Sequence, residues 1–165
     1  MKIIEVKALS LEAFRYYGTY HDLVDMAPLR PGEERSNEFY PDLARLNLSR
    51  DMQAAASVAR VAPCDPVIRF AEIHRYTGEG ILPIDGDAVI YVGKPGRAAD
   101  PDALEAFLVP KGTFVSLNPA VAHGRQFVTG DTPVHVLILL PERTYANDCE
   151  FAQIPEDKQI RIDIG

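Results

Sequence analysis

The residues best able to do chemistry lie in one stretch, Val67-Ile-Arg-Phe-Ala-Glu-Ile-His-Arg-Tyr76. Read as one strand, it alternates faces, so Phe70, Glu72, His74 and Tyr76 share a side. Glu72 and His74 then stand about 6–7 Å apart along the chain, near enough for both to converge on one ion or one substrate atom. The next residues bring Glu79 five positions after His74 and Gly86 seven after that. A second candidate histidine, His123, closes the run Gly112-Thr-Phe-Val-Ser-Leu-Asn-Pro119-Ala-Val-Ala-His123. The competing reading makes His74 and His123 hydrogen-bonded residues of a barrel interior and Glu79 a turn residue. Of the other two histidines, His135 sits in an apolar strand, where packing or a hydrogen bond explains it, and His21 carries no motif.

Short strands must position these groups. Period-two patterning predicts strands over Ala56–Val61, Val67–Tyr76, Ala88–Val92, Ala106–Val109, Phe114–Leu117, Gln126–Val128 and Val134–Leu140, separated by Gly, Pro, Asn or Asp. Ser10 is a good cap for a helix over Leu11–Tyr17 that Gly18 would stop. Asp100 and Pro101 open a second short helix to Leu104. Residues 27–42 read as an irregular excursion, and tail segments such as Arg161-Ile-Asp-Ile-Gly165 as strands pairing at a barrel edge or across a dimer. With no repeat or linker, residues 1–165 form one mainly β domain, a small barrel or sandwich with a few short helices.

Composition narrows the function. The chain has 165 residues, with 17 Lys and Arg against 24 Asp and Glu, a net charge of −7. That sign repels phosphate backbones, so no nucleic-acid partner is expected. The longest apolar run, Val134–Leu140, is far short of the ~20 residues that cross a bilayer, and no membrane partner is expected. Two cysteines, Cys64 and Cys149, are too few for a disulfide framework. The amino end reads as neither a signal nor a transit peptide, and a cytoplasmic setting is expected.

The spacing from His74 through Glu79 to Gly86, followed by Gly112, Pro119 and His123, resembles the two motifs of the cupin superfamily. Glu72 stands where the first motif has its first histidine. The resemblance implies a cupin-like β-barrel or jelly roll, and a ligand set of Glu72, His74, Glu79 and His123. Two imidazoles with one or two carboxylates suit a single divalent Mn, Fe, Ni or Zn, with positions left open for substrate.

A longer resemblance runs through ALSLEAFRYYG (8–18), EFYPDL (38–43), SVARVAP (57–63), EIHRYTGEGILPIDG (72–86), PDALEAF (101–107) and NDCEFAQIPE (147–156). In this order and register they are similar to the ureidoglycolate lyase family of purine and allantoin degradation. The chain departs from that pattern at Glu79, where the family usually has Gln, and at Ala122-His123-Gly124, where it has Trp-His-His. The resemblance implies a homodimeric C–N lyase that splits a small hemiaminal acid, ureidoglycolate, into glyoxylate and urea. Glu72, His74 and His123 would move protons, Arg60 would clamp the carboxylate and Tyr76 would line the pocket. Such acid–base chemistry requires no metal. The alternatives are a metal-dependent cupin of other chemistry, an isomerase or dioxygenase of small acids or sugars, and a non-catalytic small-molecule-binding cupin.

Overall fold

In the computed structural model, residues 1–25, 40–48, 52–96 and 100–165 are described. The chain opens with β1 (Lys2–Ala8), the single turn α1 (Leu11–Phe14) and β2 (Gly18–Asp22). Then come β3 (Ala54–Val61), β4 (Val67–Ile68), β5 (Phe70–Ile73), β6 (Glu79–Pro83) and β7 (Ala88–Val92). After a 3₁₀ turn at Pro101–Ala103 follow β8 (Glu105–Val109), β9 (Thr113–Leu117), β10 (Ala122–His123), β11 (Phe127–Val128) and β12 (Val134–Pro141). The last elements are α2 (Thr144–Asn147), β13 (Glu150–Gln153), a 3₁₀ turn at Glu156–Lys158 and β14 (Ile160–Asp163). Both expected caps form: the Ser10 hydroxyl accepts from the Ala13 amide, and the Asp100 carboxylate from that of Asp102. The helix after Ser10 ends at Phe14, three residues short of Tyr17. Most of the excursion expected over 27–42 falls outside the described residues.

The strands form curled sheets ordered β2-β9-β6-β12-β3, β11-β7-β8-β1-β14-β4 and β10-β5-β13. The tail strand β14 does not lie at an edge. It sits between β1, to which it is parallel, and β4. Alternation along β7 shows the layering. Ala88, Ile90 and Val92 enter one core with Phe14, Tyr17, Phe107 and Val136, while Val89 and Tyr91 enter a second with Phe127, Ile160 and Ile162. A strand apolar on both faces must be covered on both.

Aromatic side chains lock the first core. Phe14 meets Phe107 edge-on with ring centroids 5.1 Å apart, and Tyr17 packs on both. Tyr17 keeps its hydroxyl satisfied by donating to Glu105 Oε2 at 2.8 Å, and Lys7 holds the other oxygen at 2.8 Å.

The stretch expected as one strand over Val67–Tyr76 is broken twice, at Arg69 and after Ile73. Ile154 N–H reaches the Arg69 carbonyl at 2.8 Å, and beyond Ile73 the chain enters a turn. Alternation therefore holds for Phe70 and Glu72 and ends before Tyr76.

Phe107→Ala removes the ring on which Phe14 and Tyr17 pack. We expect a loss of about 3–5 kcal/mol, read as a lowered urea midpoint.

Candidate metal and catalytic site

Three elements bring the site together. Antiparallel pairing of β10 with β5 sets His123 directly opposite Glu72. Glu79 opens β6, whose neighbour β9 places Leu117 across from it. His74 lies one residue past β5, where its backbone carbonyl accepts from Ala120 N–H at 2.6 Å. All three side chains are buried, with only 2–3% of each residue exposed.

The hydrogen bonds orient both rings the same way. His74 Nδ1 is 2.6 Å from the Asp148 carbonyl and His123 Nδ1 is 2.9 Å from the Val121 carbonyl. A carbonyl only accepts, so each Nδ1 carries the proton. Both Nε2 atoms then point at a single atom, Glu79 Oε2, each at 3.1 Å. Two Nε2 lone pairs and one carboxylate oxygen repel one another unless a proton or a shared cation stands among them. His74, Glu79 and His123 each offer one ligand atom, and these atoms lie within 4.8 Å of one another. The donor set, two outward-tethered imidazoles and a carboxylate, fits a divalent transition metal.

Without metal the same convergence holds a proton on His123. Burial alone would raise the Glu79 carboxyl, but the charge and hydrogen bonds of His123, with those of His74, bring it down to about 2. Burial alone would lower His123, but Glu79 chiefly, with Glu72 and the Val121 carbonyl, raises it to about 9.

The remaining expected residues are placed differently. Glu72 lies outside the group of three, although its charge acts on His123. Its Oε2 accepts from the Cys149 thiol at 3.4 Å. Burial first, and then Glu72, push that thiol up to about 11, so it stays protonated. Tyr76 is 74% exposed, turned away by the break after Ile73. Arg60 is exposed and shares a cleft with Val61, Phe70, Arg125 and Gln126, where the end of the five-stranded sheet meets β5. His135 is held by Asp85 at 2.6 Å, which accounts for it without catalysis.

Two residues gain importance only in the structure. Tyr145, on α2 and more than half exposed, lies edge-to-face with His74 at 6.1 Å between centroids. Burial first, then Glu79 and Glu72, raise its phenol to about 12, so it remains an O–H donor. Tyr91 accounts for Gly124. It donates to the Phe70 carbonyl at 2.7 Å, and a Cβ at 124 would stand 1.8 Å from its hydroxyl oxygen. A side chain at the position after His123 is thus excluded by Tyr91.

The curled sheets around the buried His–Glu–His group have a cupin-like fold. A structure of a dTDP sugar isomerase from Desulfovibrio desulfuricans shares this fold, with a TM-score of 0.52 and 18% identity over 85% of each chain. Bacillus subtilis oxalate decarboxylase also matches, at a TM-score of 0.45 and 21% identity; the match covers 62% of this chain and about a quarter of that one. Within the cupins the assignment is narrower. The family model described as ureidoglycolate lyase matches residues 1–161, and the chain belongs to that family. A protein of Agrobacterium fabrum named "Putative ureidoglycolate lyase" is 28% identical over 131 residues, covering 76% of this chain and 75% of that protein.

Metal-free protein should lose stability as pH rises from the ordinary histidine value near 6.5 to about 9. His123 binds its proton more tightly folded than unfolded, so its contribution is full below that window and gone above it. Urea denaturation in chelator across pH 6–10 reads the slope, and Glu79→Gln should flatten it.

Proposed function

We propose that this protein is a ureidoglycolate lyase that uses one divalent metal, held by His74, Glu79 and His123, to release urea and glyoxylate. The family membership supports the reaction. The observation that carries the metal is the convergence of both Nε2 atoms on Glu79 Oε2 while both Nδ1 atoms are engaged elsewhere.

The substrate carbon bears a hydroxyl, a carboxylate and a ureido nitrogen. The hydroxyl proton leaves, the C=O of glyoxylate forms, the C–N bond breaks and the departing nitrogen takes a proton, so atoms balance without an external reagent. A bound divalent ion supplies Lewis acidity that makes the hydroxyl a better acid. Glu72 takes the hydroxyl proton: it faces the same interior as His123 and lies outside the ligand group. The Cys149 thiol holds one of its oxygens. Tyr145 offers an O–H beside His74 to the leaving nitrogen. Arg60 and Arg125, two cations in one cleft and neither of them in an ion pair among the described residues, attract the carboxylate. The homodimer implied by the family and the expected cytoplasmic setting belong to the same reading. The edge of β3 that has no strand partner among the described residues, with its exposed Val58, offers one surface for a second copy.

Glyoxylate release from racemic ureidoglycolate tests the reaction. Turnover should vanish in chelator and return with a divalent ion, and His123→Ala should lose both bound metal and turnover. Glu72→Gln should keep the metal and cut turnover by about 10²–10⁴. Full turnover in chelated, metal-free protein would overturn the metal assignment.

A further inference from the structure

Asp148 grips the turn that carries His74 by three hydrogen bonds. Its carbonyl accepts from His74 Nδ1 at 2.6 Å. Its side chain accepts from the two following backbone amides, Arg75 N–H into Oδ1 at 2.8 Å and Tyr76 N–H into Oδ2 at 2.9 Å. The grip is itself anchored, because Asp148 ends α2 and its own N–H donates to the Thr144 carbonyl at 2.8 Å. Thr144 in turn donates its hydroxyl to the Pro141 carbonyl at 2.7 Å, tying α2 to the end of β12.

We infer that Asp148 is a positioning residue that fixes the tautomer and direction of His74. Its carboxylate holds the turn at the distance where its carbonyl can accept the Nδ1–H hydrogen bond, which leaves Nε2 aimed at Glu79. With the carboxylate gone, two amides of the turn lose their acceptors and the carbonyl is no longer held in line with the imidazole. The ring then has no single preferred tautomer, and one ligand of the group of three loses its aim. Partners of this kind on metal-binding histidines typically change metal affinity by about 10–100-fold.

The same residue ties the site to its wall. Tyr145 lies three residues before Asp148 and Cys149 follows it directly, so the grip that aims His74 also seats the phenol beside it and the thiol on Glu72. Asp148 therefore coordinates two sides of one pocket from one point. This inference rests on His74 being a ligand, and its test separates the two ideas.

The experiment compares wild type with Asp148→Ala and Asp148→Asn, and uses Ile162→Ala as a control matched in Tm because Ile162 is buried in the second core. Cobalt(II) and zinc(II) affinity is measured by titration. The imidazole Nδ1–H of His74 is followed by ¹⁵N NMR in metal-free protein. Asp148→Ala should weaken metal about 10–100-fold and replace the Nδ1–H signature with averaged tautomers. Asp148→Asn, which keeps one acceptor oxygen, should fall between, and Ile162→Ala should leave both readouts unchanged. An unchanged His74 signature in Asp148→Ala overturns the inference, as does an equal loss of affinity in Ile162→Ala. If wild type binds neither ion, the ligand reading fails, and Asp148 is decided by the metal-free NMR signature alone.

Discussion

Two imidazoles whose outer nitrogens are committed to carbonyls must present their inner nitrogens to whatever lies between them, and here that is one carboxylate oxygen. Three acceptors buried together cannot persist without positive charge among them. The surrounding architecture serves that requirement. β5 and β10 pair so that His123 arrives opposite Glu72, β6 delivers Glu79 from the other sheet, and a turn rather than a strand delivers His74. If any one ring were free to flip its tautomer, the arrangement would become an ordinary buried hydrogen-bond network.

The barrel supplies stiffness where the site needs it. β7 is buried on both faces and packs against both cores, and its hydrogen-bonded neighbours β8 and β11 bracket it. Close packing of this kind transmits displacement instead of absorbing it. A histidine placed on such a frame keeps its direction, which suits a group whose value lies in where its lone pair points. The more open wall is built differently. Tyr145 and Cys149 come from α2 and the residue after Asp148, a short segment at the end of a long strand. Tyr145 and Cys149 thus sit on an element with little core of its own, beside the His–Glu–His group held by the barrel.

Much of this was legible in the residues. The resemblance to the cupin motifs implied a group of Glu72, His74, Glu79 and His123, of which the last three meet, and period-two patterning placed β7, β9 and β12 nearly to the residue. Glu72 was expected among the ligands because alternation puts it on the face of His74. The strand ends before His74, so the face is not shared in that way. Past its end the amides turn to Asp148, 73 residues from Arg75, and no local pattern announces a partner at that separation. Tyr76 left the pocket for the same reason. β1, β2 and the interior place of β14 escaped because their neighbours lie far along the chain: β1 pairs in parallel with β8 and β14, a choice that tertiary packing makes and hydrophobic period does not.

Tyr91 and Gly124 carry a consequence for how such a chain can evolve. The hydroxyl of one occupies the volume in which the other would need its first side-chain atom. The two positions cannot drift independently: any residue larger than glycine at 124 first requires a smaller or displaced one at 91. That first step leaves the Phe70 carbonyl without its donor and a gap in the second core. Between a lineage with a side chain after His123 and one without it lies a poorly populated intermediate, and paired change is the easier passage. A departure that looks like one lost side chain in the sequence is thus half of a two-residue exchange.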